Sequence, residues 1–206
     1  MKKYVAELVA TFFLILCGTG AMVVNTETAG VISHFGVAAA WGLIVTIMIF
    51  TYGRISGAHM NPAVTVTLVL LKLHPKKEML PYFWAQLIGA LLASLTLRLL
   101  FPENELLGAS MPQGSEMQSF VLEFILTFML MIVILFTSQG GKLEQTFAPI
   151  AIGATVGLEA LYAGPICNAS MNPFRSLAPA LVSGHLEHLW LYLVATTLGA
   201  IVAVFY

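Results

Sequence analysis

The chain has 206 residues, of which 59% are hydrophobic and only 9% are charged, whereas a soluble domain typically carries about 25% charged residues. Nine Lys and Arg against ten acidic residues, all of them Glu, leave a net charge of -1. This composition excludes a disordered chain, a coiled coil and a nucleic-acid-binding protein, and it argues against an ordinary soluble enzyme.

Six apolar stretches are each about long enough to cross a bilayer, which takes roughly 20 residues. Buried core helices of a soluble protein are the alternative, but such helices need polar helices to cover them, and the sequence has none. The hydropathy therefore predicts an all-α integral membrane protein. In chain order the six predicted spans are 4–24, 35–52, 80–101, 118–138, 147–164 and 188–206.

The charges between these spans predict their orientation. Basic residues gather at the N-terminus and in the loops after the second and fourth spans, whereas most acidic loop residues lie in the alternate loops. Because Lys and Arg favour the cytoplasmic side, both termini are predicted to be cytoplasmic. Short loops and the lack of an organelle signal predict a plasma (inner) membrane protein.

Two shorter apolar runs, residues 61–71 and 172–182, are each about half a bilayer long. Each begins with Asn-Pro, in which Asn is a good N-cap and Pro is well tolerated in the first helical turn. Each run is therefore predicted to be a half-helix that follows a loop. Since non-helical backbone is tolerated at membrane depth only inside protein or along a wet cavity, the two half-helices predict such a cavity.

The two halves of the chain repeat each other. The pattern Ala-x-Met-Asn-Pro begins at Ala58 and again at Ala169, and Glu-x-x-x-Thr-Phe begins at Glu7 and again at Glu123. Each half holds three full crossings, an odd number, so the second half starts from the opposite side of the membrane as an inverted repeat. We assign one channel domain to 1–206, with inverted repeats 1–101 and 117–206.

The half-helices are predicted to meet near the membrane midplane, at Asn61 and Asn172. Two helix N-termini there create a positive potential that repels cations and protons, while both amides donate hydrogen bonds to a passing solute. The predicted midplane residues are Asn61, Pro62, Ala63, Asn172, Pro173 and Phe174. A ladder of backbone carbonyl acceptors is predicted at Gly57, Ala58, His59, Met60, Asn168, Ala169 and Ser170. This arrangement suits a passive channel for small neutral solutes.

The motifs SGAHMNPAVT and SMNPFRS, paired in a six-span inverted repeat, resemble the aquaporin, or major intrinsic protein, family over essentially the whole chain. The chain is most similar to the nodulin-like intrinsic proteins, in AAWGLIVTIMIF, LASLTLRLLF, FVLEFILTFMLMIVI and SMNPFRSLAPALV. The resemblance implies an aquaporin-like fold with six transmembrane helices and two re-entrant half-helices. It also implies a homotetramer in the lipid bilayer, with one pore in each chain.

By position in the family's motifs, the resemblance places the narrow selectivity filter at Trp41, Ala160, Ala169 and Arg175. Water-selective members usually carry Phe and His at the first two positions. Trp and Ala there imply an open, half-apolar ring that passes glycerol, urea, water and hydroxylated metalloids such as boric or arsenous acid. A water-selective aquaporin and, less favoured, a secondary active transporter are the alternatives.

Three kinds of residue have open or structural roles. Phe174 stands where Ala is usual, and it either narrows the midplane or packs against the apposed helix. Glu159 lies inside a span, and it is either a candidate functional residue or an acceptor of hydrogen bonds from loop backbone. Glu7 and Glu123 are predicted to hold the loop backbone of each repeat. The sequence predicts no catalytic residue, no metal site and no cofactor, because no such grouping has the required spacing.

Overall fold

The computed structural model describes all 206 residues, and its secondary structure is entirely helical. The predicted all-α fold is confirmed. Short 3-10 turns at Lys76–Glu78 and Ala203–Phe205 extend the fourth and the eighth helix. The helices are α1 (Lys2–Glu27), α2 (Ser33–Ser56), α3 (Pro62–Leu70), α4 (Met79–Leu100), α5 (Glu116–Ser138), α6 (Lys142–Cys167), α7 (Pro173–Ser183) and α8 (Leu189–Val202).

Five helices, namely α1, α2, α4, α5 and α6, are long and apolar enough to cross a membrane. The sixth predicted span, 188–206, contains α8 and its 3-10 extension, which together form the shorter apolar helix Leu189–Phe205. That length lies at the lower end of the roughly 17–25 residues that a crossing takes. The bundle surface is apolar, with large side chains such as Leu43, Trp84 and Phe136 more than half exposed. A lipid-facing surface requires this pattern.

The half-helices α3 and α7 begin at their Asn-Pro pairs. Asn61 caps α3 and Asn172 caps α7, each accepting a hydrogen bond on its side-chain oxygen from the backbone N–H two residues further on, at 2.9 and 3.0 Å. Pro62 and Pro173 fill the first helical positions, where a missing N–H costs nothing. The predicted half-helices are therefore present as separate, short elements.

Glycines let the long helices pack closely, and they do so in the same way in both halves. A Cβ at Gly89 of α4 would lie 2.3 Å from the carbonyl oxygen of Leu8 in α1. The equivalent Gly199 of α8 would bring its Cβ 2.3 Å from the carbonyl oxygen of Phe124 in α5. In each half, the last helix thus packs against the first helix. Both halves have the same order of elements, namely two helices, a half-helix and a further helix.

The two halves meet where α2 crosses α6. A Cβ at Gly42 would lie 2.7 Å from the carbonyl oxygen of Gly153, and a Cβ at Gly153 would lie 2.5 Å from the carbonyl oxygen of Gly42. No side chain fits between backbones at that separation. This crossing positions the second helix of each half side by side, along the cavity described next.

Candidate pore and its constriction

A cavity of about 730 Å³ lies between the two halves and takes lining residues from both. Trp41, Asn61, Asn172 and Arg175 line it, together with residues from the loop ends of α2 and α6 such as Arg54 and Lys142. Its charged lining side chains are all basic, and no Glu is among the lining residues. The fixed charges that line the cavity are therefore positive, which disfavours cations.

At the centre of the cavity, the two capping asparagines exchange hydrogen bonds with each other's loops. The Asn61 amide nitrogen donates to the carbonyl oxygen of Met171 at 2.7 Å, and that of Asn172 donates to the carbonyl oxygen of Met60 at 2.8 Å. A side-chain amide has two N–H groups, so one donor on each asparagine remains for a solute. The structure thus brings the two half-helix starts together.

The loops before α3 and α7 have the same unusual backbone. Gly57, Ala58 and Met60 have positive φ angles, and so do the three residues at equivalent positions in the second loop. Non-glycine residues rarely adopt this left-handed conformation, so the surrounding structure must stabilise it. The equivalent residues are Asn168, Ala169 and Met171, with φ angles of 64°, 44° and 52°.

Buried glutamates supply that support. One Glu7 oxygen accepts from the backbone N–H of His59 at 2.9 Å and from the Ser56 hydroxyl at 2.7 Å. The other accepts from the backbone N–H of Met60 and from the Gln86 amide, both at 2.9 Å. All four donors bind a fully buried carboxyl group, so hydrogen bonds to Glu7 fix the loop before α3.

Glu123 occupies the matching place in the second half, against the loop before α7. Its two oxygens accept from the backbone N–H groups of Ser170 and Met171, at 2.7 and 2.9 Å. Both glutamates therefore lie where the repeat in the sequence places them, each beside the loop of its own half.

Arg175 is almost fully buried, and its guanidinium lies over the Trp41 ring, 4.9 Å from the ring centroid. One terminal nitrogen donates to the carbonyl oxygen of Gly108 at 2.9 Å and to the Ser110 hydroxyl at 2.7 Å. The other donates to the sulfur of Met22 at 3.2 Å. Three of its five N–H groups are thus held by protein, and two remain for a solute.

Sequence reasoning missed the residues that hold Arg175. Met22 is one apolar residue in a long apolar helix, and Gly108 and Ser110 lie in a loop without a recognisable motif. Nothing in their local sequence distinguishes them from lipid-facing or loop residues, because their importance comes from a contact with a residue far away in the chain.

The four predicted filter residues are placed differently with respect to the cavity. Trp41, Ala169 and Arg175 line it, whereas Ala160 is buried without being a lining residue. The place of Ala160 in the constriction therefore remains a prediction. Among the predicted carbonyl-ladder residues, Asn168 is also absent from the lining. The predicted ladder residues that line the cavity are Gly57, Ala58, His59, Met60, Ala169 and Ser170.

The structure also shows the surroundings of Phe174, whose role the sequence left open. Phe174 is half-buried, does not line the cavity, and packs edge-on against Phe83 of α4 with 6.0 Å between ring centroids. This contact favours the packing role over narrowing of the midplane.

Glu159 is fully buried, and neither of its oxygens has a hydrogen-bond partner. The interpretation that Glu159 accepts hydrogen bonds from loop backbone is therefore wrong, because the donors of the nearby loop bind Glu123 instead.

Comparisons with known proteins agree with this geometry. The family described as Major intrinsic protein matches residues 1–206. Nodulin-26 from Glycine max is 45% identical over 202 residues, covering 98% of this chain and 74% of that protein. Aquaporin NIP1-1 from Oryza sativa subsp. japonica is 44% identical, covering 98% and 71%. The X-ray structure of the aquaglyceroporin from Plasmodium falciparum has a TM-score of 0.86 at 25% identity, covering 98% of this chain and 93% of that one.

Proposed function

The chain belongs to the major intrinsic protein family of multi-pass membrane channels, and from this premise we propose that it conducts small uncharged hydroxylated solutes. Glycerol, urea and water are the expected solutes, and boric and arsenous acids are further candidates of the same chemistry. Ions and protons are excluded. The protein is a channel and not an enzyme, and conduction is passive.

The chemistry of the cavity carries this proposal. Free amide donors of Asn61 and Asn172 lie between loops whose carbonyls are acceptors, and a hydroxyl group satisfies both because it donates and accepts. A cation entering the same path meets two helix N-termini and Arg175 without any acid to compensate for its lost hydration. Neutral solutes are thus favoured over ions.

The constriction supports a solute larger than water. Trp41 gives it an apolar wall, Arg175 gives it two free donors, and Ala169 adds only a methyl group. Such a ring holds the hydroxyls of a polyol on one side and its carbon chain on the other. The structural relative is described as an aquaglyceroporin, whereas one sequence relative is described as an aquaporin, so water-selective conduction is the second candidate.

We also propose the arrangement of the channel in its membrane. The repeats 1–101 and 117–206 insert with opposite orientation, and both termini are cytoplasmic because the basic loops lie on that side. The chain assembles as a homotetramer in the plasma membrane, with one pore in each subunit. Glu159 is the remaining candidate functional residue of the second half.

Stopped-flow light scattering on proteoliposomes tests the proposal by comparing water, glycerol, urea and boric acid. We expect glycerol flux well above that of empty vesicles, rising linearly with concentration and without counterflow. Ala169→Trp, which places a bulky indole on the cavity lining, is the blocked control. Water flux without glycerol flux would identify a water-selective channel, and saturable flux with counterflow would identify a carrier.

A further inference from the structure

A chain of hydrogen bonds connects Arg175 to the backbone of Asn172 through three buried serines. Arg175 donates to the Ser110 hydroxyl at 2.7 Å, and the Ser110 and Ser176 hydroxyl oxygens are 2.7 Å apart. The Ser176 and Ser170 hydroxyl oxygens are 2.6 Å apart, and the Ser170 hydroxyl bonds the Asn172 carbonyl oxygen at 3.0 Å. All three serines are less than a tenth exposed.

The direction of every bond in this chain is fixed by counting protons. A serine hydroxyl has one hydrogen to donate. Ser170 uses its hydrogen for the Asn172 carbonyl, which is only an acceptor, so Ser170 must accept from Ser176. Ser176 has then used its hydrogen and must accept from Ser110. Ser110 in turn has its oxygen free to accept from Arg175, which can only donate.

The chain therefore has a single polarity, from the guanidinium to the peptide carbonyl of the midplane asparagine. Hydrogen bonds in such a series polarise one another, and the orientation of each hydroxyl depends on the next. Ser176 is the central member, because its hydroxyl joins the Ser110 hydroxyl to the Ser170 hydroxyl. It neither contacts the guanidinium nor lines the cavity.

We propose that Ser176 is a positioning residue that sets the solute selectivity of the constriction through Ser110 and Arg175. This inference rests on the proposed function. With Ser176 in place, the Ser110 oxygen is held towards Arg175, which keeps one terminal nitrogen of the guanidinium against the loop between α4 and α5. Without the Ser176 hydroxyl, Ser110 is free to rotate away from Arg175. Only the Gly108 carbonyl and the Met22 sulfur then hold the guanidinium, which can turn further towards the cavity. The constriction beside Trp41 then narrows, and this hinders the passage of a polyol more than that of water.

The test is the ratio of glycerol to water permeability, measured in the same proteoliposomes so that the amount of protein cancels. We expect Ser176→Ala to lower this ratio about fivefold, the factor that one neutral hydrogen bond is worth. Ser176→Thr keeps the hydroxyl and should retain the wild-type ratio within about twofold by the same reasoning. Ser119→Ala is the matched control, because Ser119 is fully buried and its hydroxyl has no partner.

The outcomes separate this inference from the proposed function. Wild-type protein that passes neither glycerol nor water overturns the proposed function. Wild-type glycerol flux with an unchanged ratio in Ser176→Ala overturns the positioning role and leaves the channel intact. A ratio that falls equally in Ser176→Thr also overturns it, since side-chain shape rather than the hydroxyl would then matter.

If Ser176→Ala does not fold, Ser110→Ala tests the same chain from its other end. That variant directly removes one of the three acceptors of Arg175, so the same fall in the ratio is expected. An unchanged ratio in folded Ser110→Ala overturns the proposal.

Discussion

The indole ring of Trp41 occupies the space that a side chain at Gly18 would need. A Cβ built on Gly18 of α1 would lie 2.3 Å from ring atom Cζ3 of Trp41, far inside van der Waals contact. The same ring contacts the guanidinium of Arg175. The position of the aromatic wall is therefore set by a missing side chain on a neighbouring helix.

Gly18→Ala should displace this wall. The added methyl overlaps the indole, so Trp41 must move, and the cavity wall that it forms moves with it. Overpacking of this kind costs roughly 1–3 kcal/mol of stability. We expect glycerol permeability to fall by more than water permeability, together with a lower melting temperature. Gly20→Ala on the same helix is the control, since its Cβ would meet Leu97 at 3.4 Å. An unchanged permeability ratio and melting temperature in Gly18→Ala would contradict this account.

Ala160→His tests the one predicted filter residue that does not line the cavity. If Ala160 lies beside the constriction, an imidazole there narrows it and adds a polar group, so glycerol flux should fall far more than water flux. Ala154→His places the same group on the exposed side of α6 and should leave both fluxes unchanged. Equal loss of both fluxes, or no loss of either, would remove Ala160 from the filter.

Arg175→Val removes the fixed charge nearest to Trp41. We expect the folded variant to conduct neutral solutes but to leak protons or cations, because it loses the fixed charge that lies over Trp41 while the helix N-termini and the basic residues at the loop ends of α2 and α6 remain. A pH-sensitive dye inside proteoliposomes measures the leak. Arg98→Val is the matched control, since Arg98 also donates to loop carbonyls, those of Pro102 and Asn104, without lining the cavity. Leakage equal in both variants would assign Arg175 a purely structural role.

The three glutamates buried in the bundle should differ in what they contribute to stability. Glu7→Gln replaces one acceptor oxygen by an amide that faces backbone donors, and we expect it to cost about 1–3 kcal/mol. Glu123→Gln should behave likewise. Glu159→Gln should be nearly neutral, since Glu159 has no hydrogen bond to lose. Thermal unfolding in detergent measures this, and a Glu159→Gln variant as unstable as Glu7→Gln would refute the comparison.

The helices were predictable from the sequence because apolar runs of bilayer length permit few other folds, but their ends were not. The first span was predicted at 4–24, whereas α1 is Lys2–Glu27, and the fifth was predicted at 147–164, whereas α6 is Lys142–Cys167. Helix ends at a membrane surface carry polar residues, so hydropathy alone makes these two spans too short.

The loops at the centre were predictable because Asn-Pro and the repeated Glu are local signals that occur twice. The setting of Arg175 was not, because Met22, Gly108 and Ser110 reach it from 65 or more positions away. A pattern read along the chain contains no information about such distant partners unless a motif marks both ends. The same limitation hid the role of Gly18 beside Trp41.

The reciprocal bonds of Asn61 and Asn172 have a consequence for biosynthesis. The amide of Asn61 finds its partner at Met171, 110 residues further on, so α3 is fully anchored only after α7 has been made. Until then the first half carries a broken helix whose central donor is unpaired at membrane depth, a state that costs several kcal/mol in lipid. Neither half is therefore a self-sufficient folding unit. The nascent chain must keep its first re-entrant segment sheltered, within the insertion machinery or among its own helices, until the second arrives.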